Sequence, residues 1–325
     1  MTILVTGCAG LIGANFVNWL LENTEHQVVG IDNLSGNSAA NLPLDMRFKF
    51  YVIDVCNQEK IDDIYRRYRP KVTYHLAAYA AEGRSNYIRG YINSNNTVGA
   101  ASIINACVNH ESKLIFTSSI AVYSGEPPFA ENIEPNPIDE YGLSKYCTER
   151  SIQIAGKEQG LSWVIIRPRN VYGEMQNLFD PARNLFGIFC YNAINKKPLT
   201  IFGDGNNKRA FTYIGDILEP LYKSINYEKQ IINLGSEKVY TINQAAEIFS
   251  EVTGYDNIIY VEPRHEVPEA YCLIHKSQQL LGYEDKTTLY AGLKKMWAWA
   301  KKQDMKDLMI PPALEVTKTN HSSIK

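Results

Sequence analysis

The chain has 325 residues, 45% hydrophobic and 21% charged, an ordinary balance for a soluble globular enzyme of one large domain or two closely joined ones. Its formal net charge of −2 gives no general electrostatic reason to bind nucleic acid or an anionic membrane. Six scattered cysteines, none in a Cys-x-x-Cys pair, predict a reduced compartment with neither a metal site nor a disulfide framework.

Ile3, Leu4 and Val5 read as a buried strand that begins almost at Met1, which leaves no room for a signal peptide. No apolar run is long enough to cross a bilayer, so the expected location is the cytoplasm. Gly7, Gly10 and Gly13 follow the strand at once. Leu11, Ile12, Phe16, Val17, Leu20 and Leu21 then share one face of a helix. A strand, a glycine turn and a helix in that order form a phosphate cradle. The turn needs residues without a Cβ, and the helix N-terminus offers free N–H groups. The same glycines also suit a helix packed tightly on a strand. The next strand, from Gln27 to Ile31, ends at Asp32, about twenty residues on, where a carboxylate meets a ribose hydroxyl pair. No Arg follows between Asn33 and Asn37 to receive a 2′-phosphate, which favours NAD over NADP.

A strand from Phe48 to Ile53 ends at Asp54 and Val55, which suit either an adenine amino group or a plain strand-end cap. A helix from about Gln58 to Arg69 stops before Pro70. The strand Val72 to His75 runs into Leu76, Ala77 and Ala78, small enough to let the backbone lie against a cofactor. His75 reads as a packed strand-end histidine with no chemical role. One long helix is expected from about Ser85 to Asn109. Asn95 and Asn96 lie inside it and are poor interior residues, so they mark a polar contact or an exposed face. The strand Lys113 to Phe116 opens into a run of hydroxyls, Thr117, Ser118 and Ser119, at the strand end where open α/β sheets place their sites.

A proline-rich loop from Glu126 to Pro137 precedes a helix that opens at Tyr141 and continues to about Glu158. Tyr141 and Lys145, at i and i+4, share a face. An ammonium near a phenol favours the phenolate, so such a phenol can act as an acid or base near neutrality. The same spacing also suits two solvated side chains. A strand from Ser162 to Arg167 ends the alternating β/α pattern of a doubly wound sheet. Shorter elements follow: a helix from about Arg183 to Asn195, strands Leu199 to Phe202 and Ile231 to Leu234, and a helix capped at Thr241. The closing helix runs from about Leu289 to Lys302, and a polar tail from Pro311 is expected to be loose.

In order and spacing these motifs resemble the extended short-chain dehydrogenase/reductase proteins, in particular NAD-dependent nucleotide-sugar epimerases of the UDP-glucose 4-epimerase type. The resemblance runs from Thr2 to about Lys302. It implies an α/β fold: a Rossmann-type doubly wound parallel sheet (residues 1–168) with a smaller mixed α/β substrate region (169–310), some of whose strands return to the first domain, and a polar tail (311–325). Carried over residue by residue, it implies that Gly7, Gly10, Leu11, Ile12 and Gly13 hold the NAD diphosphate. Asp32 and Asn33 would then bind the adenosine ribose, and Asp54 and Val55 the adenine edge. Leu76, Ala77, Ala78, Asn96, Ser118, Pro168, Asn170 and Val171 would flank the rest of the cofactor. Ser119, Tyr141 and Lys145 match the catalytic triad, with Tyr141 and Lys145 also touching the cofactor. Tyr79, Ser119, Ala121, Tyr141, Asn170, Arg209 and Arg264 match positions around the nucleotide diphosphate sugar.

Departures narrow the activity. Dehydratases of this family carry an acidic pair right after the Ser or Thr; here those positions are Ile120 and Ala121, neither of which transfers a proton. Ala270, near the site that limits the sugar substituent, implies a roomy pocket. The resemblance therefore implies a 4-epimerase acting on a UDP- or GDP-linked sugar, with tightly bound NAD, as a homodimer. Two other readings stay open: a C4 dehydrogenase that releases the keto sugar, and a silent protein that binds NAD and a nucleotide sugar.

Overall fold

The computed structural model describes residues 1–181, 184–263, 267–306 and 308–318. In chain order, β1 (Thr2–Thr6), α1 (Leu11–Asn23), β2 (Gln27–Asp32), β3 (Phe48–Val52), α2 (Gln58–Tyr68) and β4 (Val72–His75) lead into the short helices α3 (Glu82–Ser85) and α4 (Arg89–Asn93). A π-helical turn (Ser94–Val98) runs into α5 (Gly99–Asn109), β5 (Lys113–Thr117), α6 (Glu140–Glu158) and β6 (Trp163–Pro168). Then come β7 (Val171–Tyr172), α7 (Leu185–Ile194), β8 (Leu199–Phe202), β9 (Lys208–Ala210), β10 (Thr212–Tyr213), α8 (Ile214–Lys223) and β11 (Gln230–Leu234). The described chain ends with β12 (Val239–Thr241), α9 (Ile242–Thr253), β13 (Ile258–Val261), β14 (Glu269–Ala270), α10 (His275–Leu281), α11 (Leu289–Ala300) and an extended tail.

Seven strands form one parallel sheet in the order β11-β6-β5-β4-β1-β2-β3. The order reverses between β1 and β4, so the crevice beyond their carboxyl ends is the ligand position of an open α/β sheet. Ile3, Leu4 and Val5 are all fully buried. Their alternation sends Ile3 and Val5 into the core shared with α1, and Leu4 into the core shared with α2 and α5. Each such side chain contributes roughly 1.5–3 kcal/mol of burial. The stretch expected to form the substrate region adds small sheets, β10-β7, β12-β9-β14 and β13-β8. Its β11 joins the large sheet beside β6, pairing Gln230 with Val164 and Leu234 with Pro168.

Two expectations are corrected. The stretch from Ser85 to Asn109 is a broken helix, with the π-helical turn at Asn95 and Asn96. Asn96 is buried rather than exposed: its Oδ1 accepts from Tyr79 N at 2.8 Å, and its Nδ2 donates to Tyr79 O and Ser144 Oγ, both at 3.1 Å. A buried amide that serves another segment's backbone cannot follow the regular helical ladder, and one extra residue per turn absorbs the misfit. The tail is likewise not loose as far as Val316, whose N–H donates to Tyr87 O at 3.2 Å. Met309 N donates to Phe179 O at 2.7 Å, and Arg84 donates to Pro312 O at 2.9 Å. Glu315 accepts from Gly90 N and Tyr91 N at 2.7 and 2.8 Å, capping α4 from a distance. Leu314 packs against Tyr79, Ala81, Ile88 and Ile92.

Candidate active site

Residues at the β1 and β4 ends line a cleft with about 850 Å³ of empty space, part of it open to solvent. Its walls include Gly7, Gly10, Leu11, Asp32, Asn33, Val55, Leu76, Ala77, Ala78 and Tyr79. Gly7 has φ +67°, and a Cβ there would lie 2.7 Å from the Ala77 backbone, so only glycine lets the two strand ends meet. Ile12 and Gly13 continue the same turn into α1, with Gly13 packed on the Gly7 carbonyl. Asp32 accepts from Ala9 N and Leu34 N at 3.0 and 2.7 Å, which fixes its carboxylate at the cleft wall. Asn33 donates to Asp54 Oδ2 at 2.9 Å, and Asp54 Oδ1 caps Cys56 N at 2.8 Å. Ile53 and Val55, rather than the Asp54 carboxylate, face the cleft. A turn that admits no Cβ, a carboxylate on the wall and apolar sides for a flat ring together fit a dinucleotide.

The triad residues come from two neighbouring elements. Ser119 follows β5, and its Oγ accepts from Ala121 N at 3.1 Å. Asp139 caps α6 by accepting from Gly142 N at 2.7 Å, which starts the helix at Glu140. A Cβ on Gly142 would lie 2.2 Å from Ala121 O, so the absence of one lets α6 close onto the Ser119 loop. Lys145 is 3% exposed. Its Nζ donates to Thr117 O at 2.8 Å and lies 4.8 Å from the Phe116 ring centre and 5.9 Å from that of Tyr141. Burial pushes the Lys145 ammonium down to about 7, with the Glu149 carboxylate partly opposing the fall. The Ser118 hydroxyl is buried without a hydrogen-bond partner, an open valence beside this corner. His75 sits 2.7 Å from Thr6 Oγ1 and stacks on Phe116; burial lowers its pKa to about 3, the mark of a packed neutral ring.

On the substrate side, Pro168 ends β6 beside Leu234, and Val171 opens β7. Asn170 takes the left-handed backbone, φ 34°, which asparagine tolerates better than most residues. Its Nδ2 donates to Ala210 O at 3.0 Å, tying it to the strand that carries Arg209. Arg209 pairs with Ala270 across β9 and β14, so the residue read as setting sugar size adjoins the arginine expected to hold the diphosphate. Arg209 turns its Nη1 back to the main chain, donating to Lys208 O and Pro268 O at 2.9 and 3.1 Å. Arg264 lies outside the described residues.

Asn95, one of the two asparagines marked within the expected helix, lines the cleft, which also holds residues that the sequence did not flag: Ser35, Gly36, Asn37, Gln176, Asn177 and Asn184. Gln176 and Asn177 come from the loop after β7, a stretch with no periodicity to read. The signal available was a pair of amides shortly after Gly173. Among the described residues, no cluster of His, Cys, Asp and Glu could hold a metal ion, and no helix is long and apolar enough to cross a membrane.

A family model described as the NAD dependent epimerase/dehydratase family matches residues 3–235. A putative UDP-glucose 4-epimerase of Methanocaldococcus jannaschii is 32% identical over 92% of this chain and 98% of its own length. The crystal structure of UDP-glucose 4-epimerase from Thermotoga maritima with UDP-glucose superposes with a TM-score of 0.87 at 30% identity, covering 93% of this chain and 99% of that one. UDP-glucuronic acid 4-epimerase from Bacillus cereus, solved with UDP-glucuronic acid and NAD, gives a TM-score of 0.86 at 28% identity with the same coverage.

Proposed function

Because the chain belongs to the NAD-dependent epimerase/dehydratase family and uses NAD as cofactor, we propose that it is a nucleotide-sugar 4-epimerase working through a 4-keto sugar. The observation that carries this reading is the pairing of Tyr141 with a buried ammonium, Lys145, at the end of the Ser119 strand. Gly7, Gly10, Leu11, Ile12 and Gly13 would hold the diphosphate, Asp32 and Asn33 the ribose, and Val55 and Leu76 to Ala78 the flanks of the cofactor. Bound NAD supplies a reversible two-electron acceptor for sugar C4. Tyr141, as phenolate, takes the proton from the sugar O4 and returns it once the ketone has turned over. Lys145 favours that phenolate through its charge, and its bond to Thr117 O fixes where the charge sits. Ser119 orients O4, and Asn170 with Arg209 engages the nucleotide diphosphate.

Ile120 and Ala121 offer no acid or base to expel water, so the ketone goes back to an alcohol rather than losing the 6-hydroxyl. UDP-sugars in both of the solved relatives favour uridine as the base. We also read the α5–α6 face as a homodimer surface. Val98 (54% exposed), just before α5, and Leu143 (42%) and Ile154 (54%) of α6 are large apolar side chains left exposed there.

The test is product analysis with UDP- and GDP-sugars and no added NAD. The C4 epimer should form catalytically, and Tyr141→Phe should lower turnover by about 10²–10⁴-fold while the cofactor stays bound. A keto sugar accumulating in proportion to reduced cofactor would replace this reading with a C4 dehydrogenase. Near-normal turnover in Tyr141→Phe would remove the acid/base role.

A further inference from the structure

Gln176 is 4% exposed, yet neither its Oε1 nor its Nε2 has a hydrogen-bond partner. Native folds rarely bury an amide and leave both ends unmet. The side chain lines the same cleft as Gly7, Gly10 and Leu11, the turn at the N-terminus of the 13-residue helix α1. It is packed against Gly187 of α7, where an added Cβ would come within 2.9 Å of Nε2.

The loop that carries it is fastened on two sides. Asn15 of α1 donates to Glu174 O at 2.9 Å. Asn37 donates to Met175 O at 2.8 Å, and Asn177 donates to Gly36 O at 2.6 Å. These bonds tie residues 174–177 to the helix at the glycine turn and to the loop after Asp32. The amide is thus held ready before any ligand arrives.

Charge says what it waits for. Among the described residues, no Lys or Arg lines this cleft. Of the described lining residues, those able to meet a dinucleotide diphosphate lodged here are neutral donors, namely backbone N–H groups of the turn and side-chain amides. We propose that Gln176 is a ligand of the NAD diphosphate, and that the bonds of loop 174–177 to Asn15, Gly36 and Asn37 make it the latch that retains the cofactor. This inference rests on the cofactor and not on the reaction: it holds whatever becomes of the sugar.

The decisive variant is Gln176→Met, of similar length and volume and without the amide. Cofactor-free wild type and variant would be titrated with NAD, ADP-ribose and adenosine, and melted with and without NAD. A hydrogen bond to a charged group predicts about 10- to 100-fold weaker binding of NAD and ADP-ribose, with adenosine unchanged. The cofactor-free variant should melt at the same temperature as wild type or higher, because an unmet buried amide has been removed, and NAD should stabilise it less. A purely structural role predicts the reverse, a lower melting temperature without cofactor. Unchanged NAD affinity, or an equal loss for adenosine, would overturn the assignment alone. A wild-type protein that binds neither NAD nor ADP-ribose would overturn the cofactor reading and this assignment with it.

Discussion

Lys145 holds its ammonium 5.9 Å from the centre of the Tyr141 ring while donating to the Thr117 carbonyl. Burial, with some relief from Glu149, brings its pKa from 10.5 down to about 7. In the unfolded chain the same lysine keeps its proton up to about pH 10.4. Between those values the unfolded state binds more protons, so raising the pH favours the folded state. Below about pH 7 both states are protonated and the dependence stops. We therefore expect the unfolding free energy of the cofactor-free protein, wild type minus Lys145→Met, to rise from pH 7 to 10 by up to about 1.4 kcal/mol per unit. Denaturant titrations across that range provide the check. A difference that is flat or falls with pH contradicts the burial argument.

Beneath that corner Arg167 and Glu149 form a bidentate pair, Nε to Oε1 at 2.8 Å and Nη2 to Oε2 at 2.5 Å, with side chains 2% and 1% exposed. Tyr123 completes it: its hydroxyl accepts from Arg167 Nη1, and its ring lies 4.7 Å from the guanidinium. Removing one charge leaves the other buried and unpaired. Glu149→Ala should cost about 3–5 kcal/mol in equilibrium unfolding. The double replacement Glu149→Leu with Arg167→Met should cost clearly less. Equal losses would mean that the pair matters for packing and not for charge.

Glu315 joins the tail to the start of α4 through two backbone N–H groups. Its carboxylate supplies the cap that Ile88 has no side chain to provide. Glu315→Ala should lower the hydrogen-exchange protection of the Gly90 and Tyr91 amides by roughly 10-fold, matching a lost cap of about 1 kcal/mol or slightly more. Exchange at β1 and β5 should not change. Unaltered protection at residues 90–91 would show that α4 stands without the tail.

What the sequence revealed was what lies close together along it. The strand, the glycine turn, the helix and Asp32 fall within the first 32 residues, and each is fixed by a local rule. Tyr141 and Lys145 are one helical turn apart. The broken helix was half legible. Asn95 and Asn96 were marked as misfits, but the group that Asn96 serves is the backbone of Tyr79, which leaves no side-chain signature. The tail escaped for the same reason, since its partners at Tyr87, Gly90 and Tyr91 are main-chain groups. Gln176 escaped because its significance is a lack of partners, a property only the folded molecule has.

The last strand of the large sheet comes from far along the chain: β11 pairs with β6, and the stretch 169–229 lies between them. While the chain emerges from the ribosome, β6 is therefore an open edge of Val164, Ile165 and Ile166 until residues 230–234 arrive to cover it. The stretch 169–229 is an excursion from the large sheet that returns to it at β11, before the chain leaves again to build β12, β13 and β14. A cut at residue 168 would yield two fragments, neither with the complete seven-stranded sheet.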